Sequence, residues 1–398
     1  MLVYLLNIFL IIVWALVFRI GKRSRIKDIL FVVICFCQMF LISAYRFDVG
    51  YDYGMYASGF FWMSFDGFSN MSYEDWEIGF ILINKLLGQF TAEPGAIMIL
   101  TSFLALLGPG YMIARYSKNP FISVFLYLNF NLFYFDMNFI RQAIAMSVLC
   151  FAYGFLRDKK FWRFLLLALI AVSFHFSAAY IIAVYFVSLL KINSRTFLLY
   201  LFGLFYYYML SDGLLNFVLS RFHTEYLGSR FIKYGVYVQY AVFPLILALA
   251  MVFLAYYVRN MPRTLELMIH LTLISAFWQV VMTKHALFER FSYYTMIYMI
   301  IGIPEAIYAF KGEFRLRLKE KCAEQWRGNG KKQSHIAAGS KRKTALAVSC
   351  VTLLLLVTSF VYNMYGLIDL GRGPHGVLPY NTRLDIDIPN IDSFFKGE

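Results

Sequence analysis

The chain has 398 residues, of which 61% are hydrophobic and only 15% charged, with a formal net charge of +14. Soluble domains carry about 25% charged residues, so this composition excludes an ordinary soluble enzyme and a disordered chain alike and predicts an all-α polytopic membrane protein. In such a chain positive charge first sorts loops across the membrane, rather than binding nucleic acid.

A spanning helix needs roughly 20 mostly apolar residues. Residues 2–19 are the first such run and read as a retained helix, with no basic n-region or cleavage site. The basic linker 21–28 belongs in the cytoplasm, which puts the N-terminus outside. Residues 29–45 return outward to a polar, aromatic and acidic external segment, 46–77. Residues 78–92 are a short, re-entrant stretch, and 95–114 cross inward to Arg115 and Lys118. Residues 119–136 and 137–156 form an outward and inward pair that ends on a second basic marker, Arg157 to Arg163.

Residues 164–190 carry basic residues at both ends: Lys159, Lys160 and Arg163 before, Lys191 and Arg195 after. One span would put one flank outside. Two short helices of roughly 20 Å each, broken near His175, keep both inside. His175 then lies at the floor of a cavity open to the outside, where irregular backbone is tolerated. Residues 196–210 go out to an external loop at 211–240, and 241–258 come in. Residues 264–283 go out to 284–290, and 291–310 come in to a basic cytoplasmic loop at 311–344, expected to be disordered. Residues 345–366 go out to an external tail, 367–398. The layout has about 12 transmembrane helices in a single polytopic domain, 1–398, with broken or re-entrant segments near 78–92 and 164–190.

No P-loop, GxGxxG, HExxH or CxxC is present. Cys35 and Cys37 have the wrong spacing for a zinc site, no two histidines have metal-ligand spacing, and no disulfide framework is implied. No metal or cofactor is expected. The external side is richer. Arg46, Asp48, Tyr51, Asp52, Tyr53 and Tyr56 crowd one helix end. They fit either an interfacial aromatic belt or a carbohydrate or phosphate site, where Tyr stacks on sugars, Asp takes hydroxyls or a proton, and Arg forks onto phosphate. Glu74, Asp75, Trp76 and Glu77 follow. Arg141 stands within an apolar helix near its outer end, and Arg290 opens another with aromatics one turn on. Ionisable residues in such places are functional candidates.

These segments, RFDVGYDYGMY, YEDWEIGF, NFIRQAIAMSVLCFAYGF, FHFSAAY, ERFSYY and VLPYN, run from residue 46 to about 381. Together they resemble the EpsG family of Wzy-type polysaccharide (O-antigen) polymerases. The long basic loop at 311–344 departs from that pattern. The resemblance implies a multi-pass protein of the bacterial cytoplasmic (inner) membrane with its active site facing the periplasm. It moves a growing glycan from undecaprenyl pyrophosphate onto a new lipid-linked repeat unit. Donor and acceptor lipid-linked glycans, membrane lipid and a chain-length regulator protein are the implied partners, with no nucleic acid.

That chemistry needs a base for the attacking hydroxyl, cations for the leaving pyrophosphate and groups that hold sugars in line. Asp52 is the first candidate for the base and His175 the second. Arg141 and Arg290 form the pyrophosphate clamp, with Arg46 and Arg230 in support. Asp48, Tyr56, Glu77, Gln142 and Tyr294 are sugar-binding or supporting candidates. The competing readings are a lipid-glycan flippase or transporter, an O-antigen ligase-like transferase, and an acyltransferase with His175 as base. The last is disfavoured because no carboxylate lies beside His175 in sequence.

Overall fold

The computed structural model describes residues 1–68, 71–73, 76–222, 238–324, 333–369 and 374–382. Among the described residues the chain is helical, with no β-strand beyond an isolated antiparallel bridge between Arg46 and Thr382. Five segments are long and apolar enough to cross a membrane by themselves: α1 (Leu2–Arg19), α2 (Arg25–Ala44), α5 (Pro94–Tyr116), α13 (Arg263–Val281) and the apolar part Arg342–Ile368 of α15 (Gln333–Asp369). Shorter helices lie between them: α3 (Tyr53–Phe65), α4 (Ile78–Gly88), α6 (Pro120–Asn129), α7 (Leu132–Asn138), α8 (Ile140–Arg157), α9 (Phe161–Phe174), α10 (Tyr180–Val187) and α12 (Gln239–Tyr257). Two long ones, α11 (Ser194–Phe222) and α14 (Glu289–Glu324), complete the set. The chain is a multi-pass membrane protein by length and composition of these helices.

Several boundaries differ from those read in the sequence. The expected crossing at 119–136 is cut at Asn131, whose φ of 61° is left-handed and ends α6. A second turn at Phe139 separates α7 from α8. The segment 46–77 holds the helix α3. The helix expected at 196–210 runs on to Phe222, and the rest of 211–240 falls mainly outside the described residues. The loop expected at 311–344 is helical on both flanks; on the first, its Lys, Arg, Glu and Leu are good helix formers, and Glu313 and Arg317 pair one turn apart. Arg317 donates to Glu313 at 3.0 Å, and Arg259 reaches Glu320 at 2.5 Å.

The chain forms two compact units. The first comprises residues 1–116, 124–182 and 363–398, the second 117–123 and 183–362. In the first, Tyr53, Tyr56, Phe60, Trp76, Phe80, Met98, Ile140 and Ile144 make one apolar core, which draws together α3, α4, α5 and the start of α8. In the second, buried His270 on α13 holds Tyr200 Oη on one ring nitrogen and the Leu190 carbonyl on the other, both at 2.8 Å.

Among the described residues, Arg46 is one of two cations of the first unit that are only 1% exposed, the other being Lys85. Arg46 donates to the Ser43 carbonyl at 2.5 Å, to the Ser43 and Ser102 hydroxyls at 3.0 Å, and to the Met137 carbonyl at 3.1 Å. One side chain thereby ties the end of α2 to α5 and α7. Arg46→Ala is expected to lower the melting temperature of the detergent-solubilised protein, since each acceptor left unpaired costs about 1–3 kcal/mol. Arg46→Lys should recover only part, because it lacks the planar fork. Thermal unfolding followed by tryptophan fluorescence reads both, and an unchanged midpoint in Arg46→Ala would refute the role.

Candidate functional site

Three short elements of the first unit end at one point. Helix α4 starts immediately after Glu77, α8 carries Arg141 in its first turn, and α9 stops at His175, where the backbone turns extended (φ −158°, ψ 118°) before a 3₁₀ turn, Phe176–Ala179. The approach of α4 to α9 depends on Gly79. A Cβ there would sit 2.5 Å from Ser173 Oγ and 2.6 Å from the Ser173 carbonyl oxygen. Glycine lets the two backbones touch two residues before His175, and that contact carries Glu77 to the histidine.

Both carboxylate oxygens of Glu77 are used. Oε2 accepts from Arg141 Nη1 at 2.5 Å. Oε1 lies 2.8 Å from His175 Nδ1 and accepts from the Phe176 N–H at 3.0 Å. Arg141 also donates through Nε to the Tyr56 hydroxyl at 3.4 Å, and its guanidinium stands 6.0 Å from the Trp76 ring centroid. Trp76, Tyr56 and Phe80 pack on one another at 5.1–5.5 Å between centroids and form the apolar wall behind the charges. The three side chains keep 15–17% of their surface exposed, enough for a ligand to reach them.

Burial alone raises the Glu77 carboxyl pKa. The His175 hydrogen bond and charge, the Arg141 charge and the Phe176 N–H outweigh burial and hold it at about 2, from an ordinary 4.5. Glu77 is thus a fixed anion at neutral pH. Ionised Glu77 accepts from the Nδ1–H of His175, so whenever the imidazole is neutral its proton-accepting nitrogen is Nε2. The chemistry on offer is a base, an anion that orients it, and a guanidinium beside both.

The structure brings Tyr56, Glu77, Arg141 and His175 together. Asp52 lies just before α3 and gives its backbone N–H to Asn138 Oδ1 at 3.1 Å, three residues ahead of Arg141. Asp48 is exposed in a left-handed turn with φ 49°. Gln142 is 2% exposed next to Arg141, and Arg46 lies inside the packing described above. Arg290 and Tyr294 belong to the second unit, the former half-buried and the latter fully buried on α14. Arg230, like Glu74 and Asp75, lies outside the described residues. Near Arg290 in the chain, Lys284 and His285 each meet Asp212 at 3.1 Å. Asp212, which no sequence motif singles out, lies on α11. Among the described residues no group of three His, Cys, Asp or Glu has the makings of a metal site.

The model of the EpsG family matches residues 28–319, well over half of the chain. The chain belongs to the EpsG family, a family of Wzy-like polymerases. The match spans α2 to most of α14 and so includes Tyr56, Glu77, Arg141, His175 and Arg290. No curated protein and no solved structure matches. Membership in the EpsG family gives a membrane polysaccharide polymerase-type glycosyltransferase.

The depressed Glu77 pKa has a stability consequence. A carboxyl at about 2 when folded and 4.5 when unfolded stabilises the fold fully above pH 4.5. That contribution fades as pH falls from 4.5 toward 2. The solubilised protein should therefore melt higher than Glu77→Gln at pH 7, and the gap should shrink below pH 4.5. Melting curves of both proteins between pH 7 and pH 3 check this. A gap independent of pH would show that ionised Glu77 does not hold the site.

Proposed function

We propose that this protein polymerises oligosaccharide repeat units carried on a polyprenyl pyrophosphate, at the periplasmic face of a bacterial cytoplasmic membrane, and that the Glu77–His175–Arg141 cluster does the chemistry. The observation that carries this reading is the sharing of one carboxylate by a histidine and an arginine. The acceptor sugar's hydroxyl oxygen attacks the anomeric carbon of the donor glycan. Its proton passes to Nε2 of His175 as the new C–O bond forms. The old bond to the pyrophosphate breaks, and the electron pair leaves with the phosphate oxygen, which Arg141 stabilises. A guanidinium has five donors, enough to hold Glu77 and meet a phosphate. The bond energy of the donor drives the transfer, so no nucleotide is spent.

Glu77 holds the imidazole in the working tautomer and fixes the guanidinium. Tyr56 and Trp76 back the Arg141 guanidinium, Gln142 packs beside it, and Asp52 and Asp48 are the carboxylates offered to sugar hydroxyls. The carboxylate on Nδ1 supports His175 over Asp52 as the base. The deep burial of Arg46 supports a framework role for it. The basic segments 21–28 and 157–163 support the sidedness, since short basic loops stay in the cytoplasm.

One alternative gains from the structure. Acyl transfer with His175 as base calls for a carboxylate beside it, and Glu77 supplies one. Family membership favours glycosyl transfer.

Purified protein given one lipid-linked repeat unit should make a ladder of products on a gel. His175→Ala should slow it roughly 10²–10⁴-fold. Arg141→Lys should be nearly as poor, because a point charge does not replace the fork. Asp52→Asn should lose less than His175→Ala. Full ladders from a folded His175→Ala protein would return the base to Asp52. Failure of the wild type to extend the unit, with acyl transfer to the same glycan from an added acyl donor, would replace the function.

A further inference from the structure

The segment 374–382, beyond the last helix, takes no part in the chemistry above, yet it is bound along its length to the loop 46–52 of the same unit. Gly376 O accepts the Gly50 N–H at 3.1 Å, and Asn381 O accepts the Phe47 N–H at 3.0 Å. Thr382 forms the antiparallel bridge to Arg46. Tyr380 donates its hydroxyl to the Ile42 carbonyl at 2.9 Å, and Tyr4 donates to the Val377 carbonyl at 3.0 Å. Loops tied down this way lose the freedom that termini ordinarily keep.

Two features place the segment in contact with the site's framework. The His375 ring sits edge-on to both Phe135 and Phe139, with centroids 5.5 and 5.3 Å away. Phe139 is the turn that begins α8, two residues before Arg141. The loop 46–52 is pressed between the segment and the end of α7. On that side Arg46 holds the Met137 carbonyl and Asn138 Oδ1 holds the Asp52 N–H. The loop makes its bend through Gly50 at φ 100°. His375 itself has φ 59°, a conformation that His tolerates better than most residues.

We propose that residues 374–382 form a positioning strap of the active site, and that His375 is a positioning residue that sets Arg141 and Asp52 through Phe139 and the loop 46–52. This rests on the function proposed above. The strap touches neither Glu77 nor His175 through any contact described, so its effect is on alignment. A small misplacement of catalytic groups costs turnover far more than binding.

Two measurements separate the strap from the chemistry. The first needs no activity. Val49 is fully buried in the loop. Val49→Cys, with Cys37, Cys322 and Cys350 changed to serine, should react slowly with a membrane-impermeant maleimide. Adding His375→Ala should raise the rate about tenfold by freeing the loop. Gly376→Ala should do likewise, because its Cβ would lie 3.1 Å from three atoms of the Tyr51 ring. Tyr380→Phe, which removes one hydrogen bond and keeps the ring, should raise the rate by a smaller factor and stands in if the others do not fold. The second is the polymerisation assay. There His375→Ala should lower kcat roughly 10²-fold, with KM for the lipid-linked unit nearly unchanged. Unchanged labelling in every folded variant would overturn the strap. Raised labelling with unchanged kcat, or a change confined to KM, would overturn the positioning role. Raised labelling in a protein whose wild type polymerises nothing would leave the strap standing and remove the proposed function.

Discussion

The site depends on Glu77 staying ionised where water is scarce. A carboxylate at the edge of an apolar core is expensive unless each oxygen finds a donor. Here one oxygen has the Arg141 guanidinium and the other has the His175 imidazole and a backbone N–H. The anion in turn is what allows the arginine to stand in the first turn of an apolar helix against Trp76 and Tyr56. Remove it, and α4, α8 and α9 lose the common point at which they end. The proposed chemistry and the local fold therefore rest on the same interaction.

The rest of the first unit serves that meeting. Gly79 lets α4 reach α9, and the aromatic core of Tyr56, Trp76 and Phe80 closes the apolar side. Arg46, buried among carbonyls and hydroxyls, joins α2 to α5 and α7 and so fixes the loop that carries Asp48 and Asp52. Buried polar groups of this sort constrain a structure strongly because every departure from the native geometry leaves one unpaired. Short helices that end inside the protein need such anchors, since their terminal carbonyls and amides have no water to turn to.

Much of this was legible in the sequence, and the failures have physical causes. The break at His175 could be read because basic residues flank 164–190 on both sides and charge sorts loops across a membrane. Arg141 stood out as a charge in an apolar run. The partnership of Glu77 with His175 could not be read, because it spans 98 residues and depends on a backbone contact at a single glycine. The interruptions at Asn131 and Phe139 were missed because hydropathy averages over a window and does not see one residue's backbone angle. The helices flanking 311–344 were missed for the opposite reason. A run of charges reads as a solvated loop, although Glu313, Arg317 and Glu320 are spaced for pairing along and between helices.

Under the function proposed above, the charge balance of the cluster suits these three residue types to a transfer away from pyrophosphate. When His175 is neutral, Glu77 and Arg141 cancel, so the cluster then presents no net charge to a low-dielectric surface. In that proposal, proton transfer to His175 makes the cluster positive at the moment the leaving group's bridging oxygen becomes negative. The attraction between them grows along the reaction and is absent before it, which is the condition for lowering a barrier rather than tightening ground-state binding. A second carboxylate as base in place of His175 would give a different course. It would begin as an uncompensated anion facing a pyrophosphate and would have to overcome that repulsion before any bond formed. The imidazole avoids the repulsion, and Glu77, neutralised by Arg141, keeps it in the tautomer that can accept the proton.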